Sequence, residues 1–320
     1  MFVRRNIPWL WTLYYCWPSL TYFLLVAVVV HFFREQLLYV GLLIPKEPVT
    51  ITATALAIFL GFKNGQAYDR WWEARKIWGL AVNYSRAWAR QVLTLMSCPE
   101  SEKAELREMQ EELIRRHAAF VYAMRIYLRT TKSYPQEVTT RKELVVMRND
   151  YSECHRLLEQ QEFESFISAD HPPEYLLRRQ GETLREARDK GWISEYALIH
   201  LDQTLVEFNN VQGRAERIKK TPFPRPYSFF QRVIVLVLGT LMPLSFEREM
   251  GWIMIPMSFM VSFVFLALDL IGSRIEDPFE NRADDVPMSA ISRTIERNLF
   301  EALGHDDLPP SIEPQHGILL

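Results

Sequence analysis

The highest density of charged and aromatic side chains lies in a single short segment of this chain. Its members are Asp69, Arg70, Trp71, Trp72, Glu73 and Arg75. Clustered carboxylates and guanidinium groups could bind a charged ligand. On a helix, however, only residues three or four apart are neighbours, so Arg70–Glu73 and Glu73–Lys76 are predicted to form surface ion pairs. Adjacent tryptophans are typical of a membrane interface. The segment is therefore predicted to be an interfacial collar rather than a binding site.

A second group of acids follows Ile275 and could suggest a calcium site. A calcium loop needs several oxygen ligands at regular spacing and a turn glycine. Here Arg282 interrupts the acids and no glycine follows, so a helix-capping turn is the better interpretation. The three cysteines are also too few and too scattered for a disulfide framework or a metal centre. We predict no metal site and no cofactor.

The sequence contains none of the motifs that would indicate an enzyme. There is no Gly-x-Ser-x-Gly, no phosphate-binding glycine loop and no His-Glu-x-x-His. His117, His200 and Asp202 fall on predicted helices without a nucleophile nearby in the sequence. The net charge of −2 and the lack of a basic patch argue against nucleic-acid binding. No catalytic residue is assigned.

Long apolar runs instead predict a membrane protein. Trp9–Phe33 carries no charge except a possible one on His31, and as a helix it would span about 37 Å, enough for a hydrocarbon core of roughly 30 Å. The run is too long for a signal peptide and lacks a small-residue cleavage site, so we predict an uncleaved span. Val233–Phe246 and Met250–Gly272 form a second pair of apolar runs.

The predicted second span is unusual. The apolar stretch Leu37–Ile44 is interrupted by Pro45, Lys46, Glu47 and Pro48, and Thr50–Phe62 then covers only about 20 Å. A broken helix at membrane depth is tolerated where it is buried in protein or lines an aqueous path. Small and hydroxyl residues in Thr50–Phe62 also suit close helix packing. A packed bundle helix and a pore-lining helix that continues into a cytoplasmic vestibule both fit this pattern.

Asp269 lies inside the fourth apolar run, where an ionisable group is costly and usually faces a partner, the bundle interior or water. It lies near the cytoplasmic end of the run. We therefore expect a structural role, in which it reaches the interface or pairs with a basic residue such as Arg274.

Basic residues orient the spans. Arg4 and Arg5 precede the first span, and further lysines and arginines follow the second, precede the third and follow the fourth, which places both termini in the cytoplasm. Helical periodicity predicts soluble helices over Glu102–Thr130, Glu174–Asp189 and Ile193–Lys219, punctuated by loops at Ser133–Pro135 and His171–Pro173. The predicted organisation is an N-terminal membrane hairpin (1–79), a cytosolic helical domain (80–222), a C-terminal membrane hairpin (223–274), a cytosolic segment (275–302) and a disordered tail (303–320).

Several segments resemble the bestrophin family, in its bacterial branch. They are Phe59-Leu60-Gly61-Phe62, Tyr68-Asp69-Arg70-Trp71-Trp72-Glu73-Ala74-Arg75, Trp78-Gly79, Glu216-Arg217-Ile218-Lys219-Lys220-Thr221-Pro222-Phe223-Pro224 and Ile275-Glu276-Asp277-Pro278-Phe279. Together they run in the expected order from the second span to beyond the fourth. Each would be weak alone, and their combination is specific.

The resemblance implies an all-α membrane protein with four spanning segments per subunit and a cytosolic helical domain, assembled as a pentameric ion channel around a central pore. In that family the second-span helices surround the pore and form a hydrophobic neck at every fourth residue. The matching positions here are Thr54, Ile58 and Phe62. Spacing of four independently places these three on one helix face, but it does not select that face over Ala55 and Phe59. A cytosolic constriction falls near Ile199, within a position or two.

Two departures from the family pattern stand out. Animal bestrophins are calcium-activated through an acidic clasp, and the corresponding stretch here, Glu280–Asp285, is sparse and interrupted by Arg282. We therefore predict no calcium gating of that kind. Thr54 makes the outer neck ring polar, so the dry part of the neck would begin at Ile58.

The leading hypothesis is a homopentameric channel for small monovalent ions in the plasma membrane, or the inner membrane of a bacterium. Its partners would be four further copies of itself, the lipid bilayer and the permeant ions. The bacterial branch that the chain resembles favours cations such as sodium. The alternatives are an anion (chloride) channel of the same architecture and a membrane-anchored scaffold without a pore.

Overall fold

The computed structural model describes Met1, Val3 and residues 9–130 and 151–320. Arg4, Arg5 and the predicted loop Ser133–Pro135 lie outside these residues. The described part is helical, without a β-strand apart from one isolated bridge between Gln315 and Ile318. Its α-helices are α1 (Trp9–Phe32), α2 (Arg34–Tyr39), α3 (Lys46–Leu95), α4 (Lys103–Thr130), α5 (Ser152–Leu157), α6 (Gln160–Ser168), α7 (Pro172–Asp189), α8 (Glu195–Lys220), α9 (Arg225–Ser245), α10 (Met254–Ile275) and α11 (Met288–Ala302). Short 3₁₀ helices cover Glu100–Glu102 and Arg248–Ile253.

The chain divides into two compact units. The first contains Met1–Val3, Trp72–Thr221 and Pro278–Leu320, and the second contains Arg4–Trp71 and Pro222–Asp277. Helix α3 contributes its first half to the second unit and its second half to the first unit.

The second unit contains the apolar helices. By length and composition, three helical segments could cross a membrane, namely Leu13–Phe32, Pro226–Ser245 and Glu249–Ile275. These match three of the four predicted spans. The predicted second span is not among them, so its membrane crossing stays a prediction.

Helix α3 differs from the sequence-based expectation. The predicted interruption is present, because α2 ends at Tyr39 and α3 begins at Lys46, but it lies earlier than expected and Pro48 is in the first turn of α3. Proline is tolerated there because the first N–H groups of a helix have no intrahelical partner. The helix continues past Phe62 through the charged segment, as the second of the two interpretations expects. It runs for 50 residues, which corresponds to a length of about 75 Å.

An apolar cluster joins α3 to α9 and α10 within the second unit. Its buried members are Val49, Leu56, Leu60, Val235, Leu238, Met242 and Phe265. Helix α1 packs against both α9 and α10. At one point α1 and α9 approach so closely that a Cβ atom added to Gly239 would lie 2.5 Å from the Phe23 ring. This packing buries one side of α3 and leaves its other side exposed.

The first unit is built around α4, which packs against α5, α7, α8 and α11. Its observed start at Lys103 agrees with the predicted helix, and α7 and α8 lie close to their predicted bounds. The His171–Pro173 segment is a helix start rather than a loop, with proline at the first helical position.

The C-terminal segment follows a defined course on the first unit, whereas its composition predicts disorder. The Val3 N–H donates to Gly317 O (2.9 Å), and the Ala290 N–H donates to Leu320 O (2.9 Å). Backbone pairing of this kind satisfies polar groups in a segment without an apolar face, which a compositional argument does not capture.

Candidate functional site

The predicted neck residues share one exposed face of α3. In the single chain, Ile58 is 58% exposed and Phe62 is 71% exposed, and Thr54 is exposed as well. Leu56 and Leu60, on the opposite side, are buried in the apolar cluster. The three predicted positions are therefore brought together on a free surface. Their role as a neck stays a prediction.

The structure also distinguishes the two faces that spacing alone left equivalent. Phe59 is partly buried and stacks on Tyr227, with ring centroids 5.0 Å apart. Its ring is thus used in packing α3 against α9. Ala55 is exposed but is too small to narrow a pore, so the Thr54–Ile58–Phe62 face offers the larger free side chains.

The hydroxyl of Thr54 is less available than the sequence suggests. Its Oγ1 donates a hydrogen bond to Thr50 O at 2.9 Å, and Thr50 and Thr52 bond back to the helix in the same way. Each hydroxyl has one proton to donate. Thr54 therefore presents a methyl group and oxygen lone pairs, but no free donor, to whatever lies against this face.

The exposed face of α3 differs in composition from the other exposed faces of the second unit. Between Thr50 and Phe62 it exposes small, hydroxyl and single apolar residues (Thr50, Ile51, Thr52, Thr54, Ala55, Ala57, Ile58, Gly61, Phe62). The exposed residues of α1, α9 and α10 include many large apolar side chains (Leu24, Leu25, Val29, Phe229, Phe230, Val264, Ile271). Large apolar residues suit contact with lipid, whereas small residues suit close contact between helices.

The predicted collar is divided between the two units. Within the second unit, Arg70 Nη2 lies 3.8 Å from Asp277 Oδ1, and Trp71 stacks on Tyr68 with centroids 6.2 Å apart. Within the first unit, Lys76 Nζ lies 2.6 Å from Glu73 Oε2, as the spacing predicted. Asp69 and Trp72 are exposed, and Arg75 is half-buried. The Arg70–Asp277 contact was not predicted and links two of the segments that carry the family resemblance.

Ile199 lies on α8 and is 64% exposed. Tyr196 and Val206 on the same helix are exposed too, so α8 carries a free apolar surface at this point. This surface is consistent with a constriction formed by several copies, which stays a prediction.

The acids that follow Ile275 are occupied by protein groups. Glu280 forms an ion pair with Lys219, and Asp285 Oδ2 accepts a hydrogen bond from the Arg282 N–H at 2.9 Å. Within the described residues, no group of three or more His, Cys, Asp and Glu side chains could hold a metal ion.

Sequence reasoning missed the partner of Asp269. Its Oδ1 atom lies 3.4 Å from Nζ of Lys63, which is buried in the second unit. Arg274, the expected partner, places its guanidinium over the Tyr15 ring, 4.4 Å from the centroid.

A model of the bacterial and fungal bestrophin proteins matches residues 12–301 of the chain. The chain belongs to the bestrophin family. Among its relatives, a protein of Ralstonia nicotianae named voltage-dependent anion channel-forming protein is 30% identical over 284 residues, which cover 89% of this chain and 85% of the relative. The Escherichia coli protein YneE carries the same description and is 28% identical over 91% of this chain and 87% of its own length.

Solved structures give the same result for the fold. A crystal structure of a bacterial bestrophin homologue from Klebsiella pneumoniae, carrying the mutation L177T, superposes with a TM-score of 0.78 at 25% identity. The match covers 90% of this bestrophin and 98% of the other chain. The family recognised from the sequence motifs is thus confirmed over nearly the whole chain.

Proposed function

We propose that this bestrophin is a homopentameric channel for small monovalent anions in the inner membrane, with both termini in the cytoplasm. The observation that carries the proposal is the exposed face of α3, on which Thr54, Ile58 and Phe62 align among small residues. Five copies arranged with closed symmetry would turn this face into stacked rings around an axis. The predicted membrane hairpins (1–79 and 223–274) and cytosolic segments (80–222 and 275–302) are part of the same proposal.

The neck would control conduction by its wetting. Rings of Ile58 and Phe62 offer no hydrogen bonds to an ion's water shell, and apolar constrictions gate by dewetting. Because the Thr54 hydroxyl proton is bonded within α3, the outer ring adds no donor of its own. A second constriction at Ile199 would act in series with the neck.

The sign of the permeant ion is the point at which our proposal departs from the sequence-based preference. The resemblance favoured cations such as sodium, whereas the relatives above are named anion channel-forming proteins. These names support the anion alternative. Reversal potentials of the purified protein in planar bilayers under a sodium chloride gradient test it directly, and a reversal potential near that of sodium would refute anion selectivity.

The neck itself is tested by replacing Ile58 and Phe62 together with alanine. The double variant widens both apolar rings, so we expect a larger conductance or a persistently open channel in bilayer recordings. A matched control replaces Ile271 and Phe230, which are similarly exposed but lie on α10 and α9. Currents of the neck variant that equal those of the control would refute the neck. Ile199→Ala in the same assay tests the second constriction.

The scaffold alternative predicts no continuous axial path. The mass of the detergent-solubilised particle separates the two hypotheses, because a monomer could not form this pore. A pentameric mass together with ion flux into vesicles supports the channel, and a monomeric mass refutes it.

A further inference from the structure

A fully buried lysine lies immediately after the inner predicted neck residue. The Lys63 side chain has no exposed surface, and its Nζ donates to Asp269 Oδ1 (3.4 Å) and Ser273 Oγ (3.3 Å) on α10. Arg232 on α9 also approaches this carboxylate, with Nε 3.9 Å from Oδ2. Ionisable residues inside apolar helical segments are rare and costly, and they commonly mark a functional element.

The next residue of α3 adds a second connection to α10. Asn64 Nδ2 donates to Leu268 O at 3.0 Å, which places the amide against the α10 backbone. At this level a Cβ atom added to Gly272 would lie 2.2 Å from Asn64 Oδ1. The two helices therefore approach closely here, and only glycine leaves room for the asparagine.

The polar contacts of Lys63 and Asn64 differ in kind from the contacts that α3 makes nearer its N-terminus. Leu56 and Leu60 meet α9 and α10 through apolar packing, which is non-directional. Hydrogen bonds and ion pairs require defined distances and angles. The polar contacts of Lys63 and Asn64 therefore fix the rotation of α3 about its own axis more tightly than the apolar contacts do.

Rotation of α3 at this level determines where Phe62 points. Successive residues of an α-helix are about 100° apart, so Phe62 faces outward while Lys63 faces α10. We propose that Lys63, Asn64, Asp269 and Ser273 form a polar clamp that positions the Phe62 ring and transmits displacements of α10 to it. This inference rests on the proposed neck, and it makes the α3–α10 contact the place where the inner ring is regulated.

The test combines Lys63→Met with Phe62→Ala in a double-mutant cycle on single-channel currents. Residues that act through one another couple with free energies equivalent to roughly two- to hundredfold effects. We expect Lys63→Met to change open probability at least about twofold, and to have no such effect once Phe62 is alanine. An equal effect in both backgrounds would assign the pair a purely structural role and overturn the proposal.

A second measurement does not depend on current. Phe62→Cys is introduced into a background in which Cys16, Cys98 and Cys154 are alanine, and its rate of modification by a charged thiol reagent is measured with and without Lys63→Met. A changed rate supports the clamp, and an unchanged rate overturns it. If Phe62→Ala leaves the currents unaltered, the neck proposal fails while this rate still decides the clamp.

The chain supplies a matched control and a rescue. Lys46, at the start of the same helix, forms an exposed ion pair with Glu247 (2.6 Å), so Lys46→Met should leave currents and modification rate unchanged. Removing one member of a buried pair can prevent folding, whereas replacing both by apolar residues is often tolerated. If Lys63→Met does not assemble, the double variant Lys63→Met/Asp269→Leu carries the same expectations, and wild-type behaviour of that variant refutes the clamp.

Discussion

The stability of the first unit should depend on the protonation of His117. This side chain is fully buried on α4, and its ring lies against Phe208 with centroids 4.2 Å apart. Its Nε2 lies 2.8 Å from Ser85 Oγ, and the Ser85 hydroxyl donates its single proton to Ala81 O (2.6 Å). The His117 Nε2–H is therefore the donor to Ser85, and Nδ1 is unprotonated with no hydrogen-bond partner in the described residues.

Burial lowers the pKa of His117 from 6.5 to about 3. Between pH 3 and pH 6.5 the His117 side chain is thus neutral in the folded state, whereas the same side chain binds a proton in the unfolded state. This contribution to stability is complete above pH 6.5 and is lost as the pH falls from 6.5 towards 3. At pH 5 the loss amounts to about 2 kcal/mol, since each pKa unit corresponds to about 1.4 kcal/mol. For a unit as large as the first one, a loss of about 2 kcal/mol lowers the Tm by about 4 to 8 °C.

The assay is thermal unfolding of the detergent-solubilised protein at pH 7.5 and pH 5. His117→Phe removes the titrating group and keeps an aromatic ring, while Ser85 retains its bond to Ala81. Between pH 7.5 and pH 5 the Tm of the variant should fall by about 4 to 8 °C less than the Tm of the wild type. His200→Phe, at an exposed position on α8, should keep the wild-type slope. Equal pH slopes for His117→Phe and the wild type would refute the reasoning.

Two further predictions concern stability. Burial raises the pKa of Asp285 from 3.8 to about 7, so the folded state favours the protonated carboxyl. The stability that this protonated form contributes is lost as the pH rises from 3.8 through 7. Asp285→Asn should therefore stabilise the protein relative to wild type by about 3 kcal/mol more at pH 8 than at pH 5, measured as a larger rise in Tm, and an equal rise at both pH values would contradict this. Gly239→Ala should destabilise by about 1 to 3 kcal/mol, because the new methyl group would overlap Phe23. Gly65→Ala, with no atom within 4 Å of the new methyl, is the control and should keep the wild-type Tm or raise it slightly.

The elements that the sequence predicts well are those whose signal is contained within the element. The continuous apolar runs give α1, α9 and α10 to within a few residues at most ends, and helical periodicity gives α4. The start of α3 was predicted a few residues too late, at Thr50 rather than Lys46, because the prolines near Lys46 were interpreted as part of the interruption. A proline marks a break or a start according to which turn it occupies, and only the neighbouring fold decides that.

The neck face illustrates a different limit. Spacing of four groups Thr54, Ile58 and Phe62, but the same spacing groups Ala55 with Phe59. What distinguishes the two faces is the partner of each ring, since Phe59 stacks on Tyr227 whereas Phe62 is exposed. That partner lies on another helix, far along the sequence, so no local pattern contains the information.

The partner of Asp269, by contrast, leaves a trace in the sequence that could have been found. Lys63 and Arg70 are seven residues apart, or about two turns, and therefore lie on one face of α3. Their carboxylate partners, Asp269 and Asp277, follow each other at almost the same interval, on α10 and just beyond its end. Nearly equal spacing in the same chain direction, seven residues on α3 and eight from Asp269 to Asp277, indicates that the two segments run parallel, with both pairs in register. A slip of one turn, about 5.4 Å, would separate both pairs at once. The two contacts together therefore define the register of the predicted neck helix against α10, which neither pair could do alone.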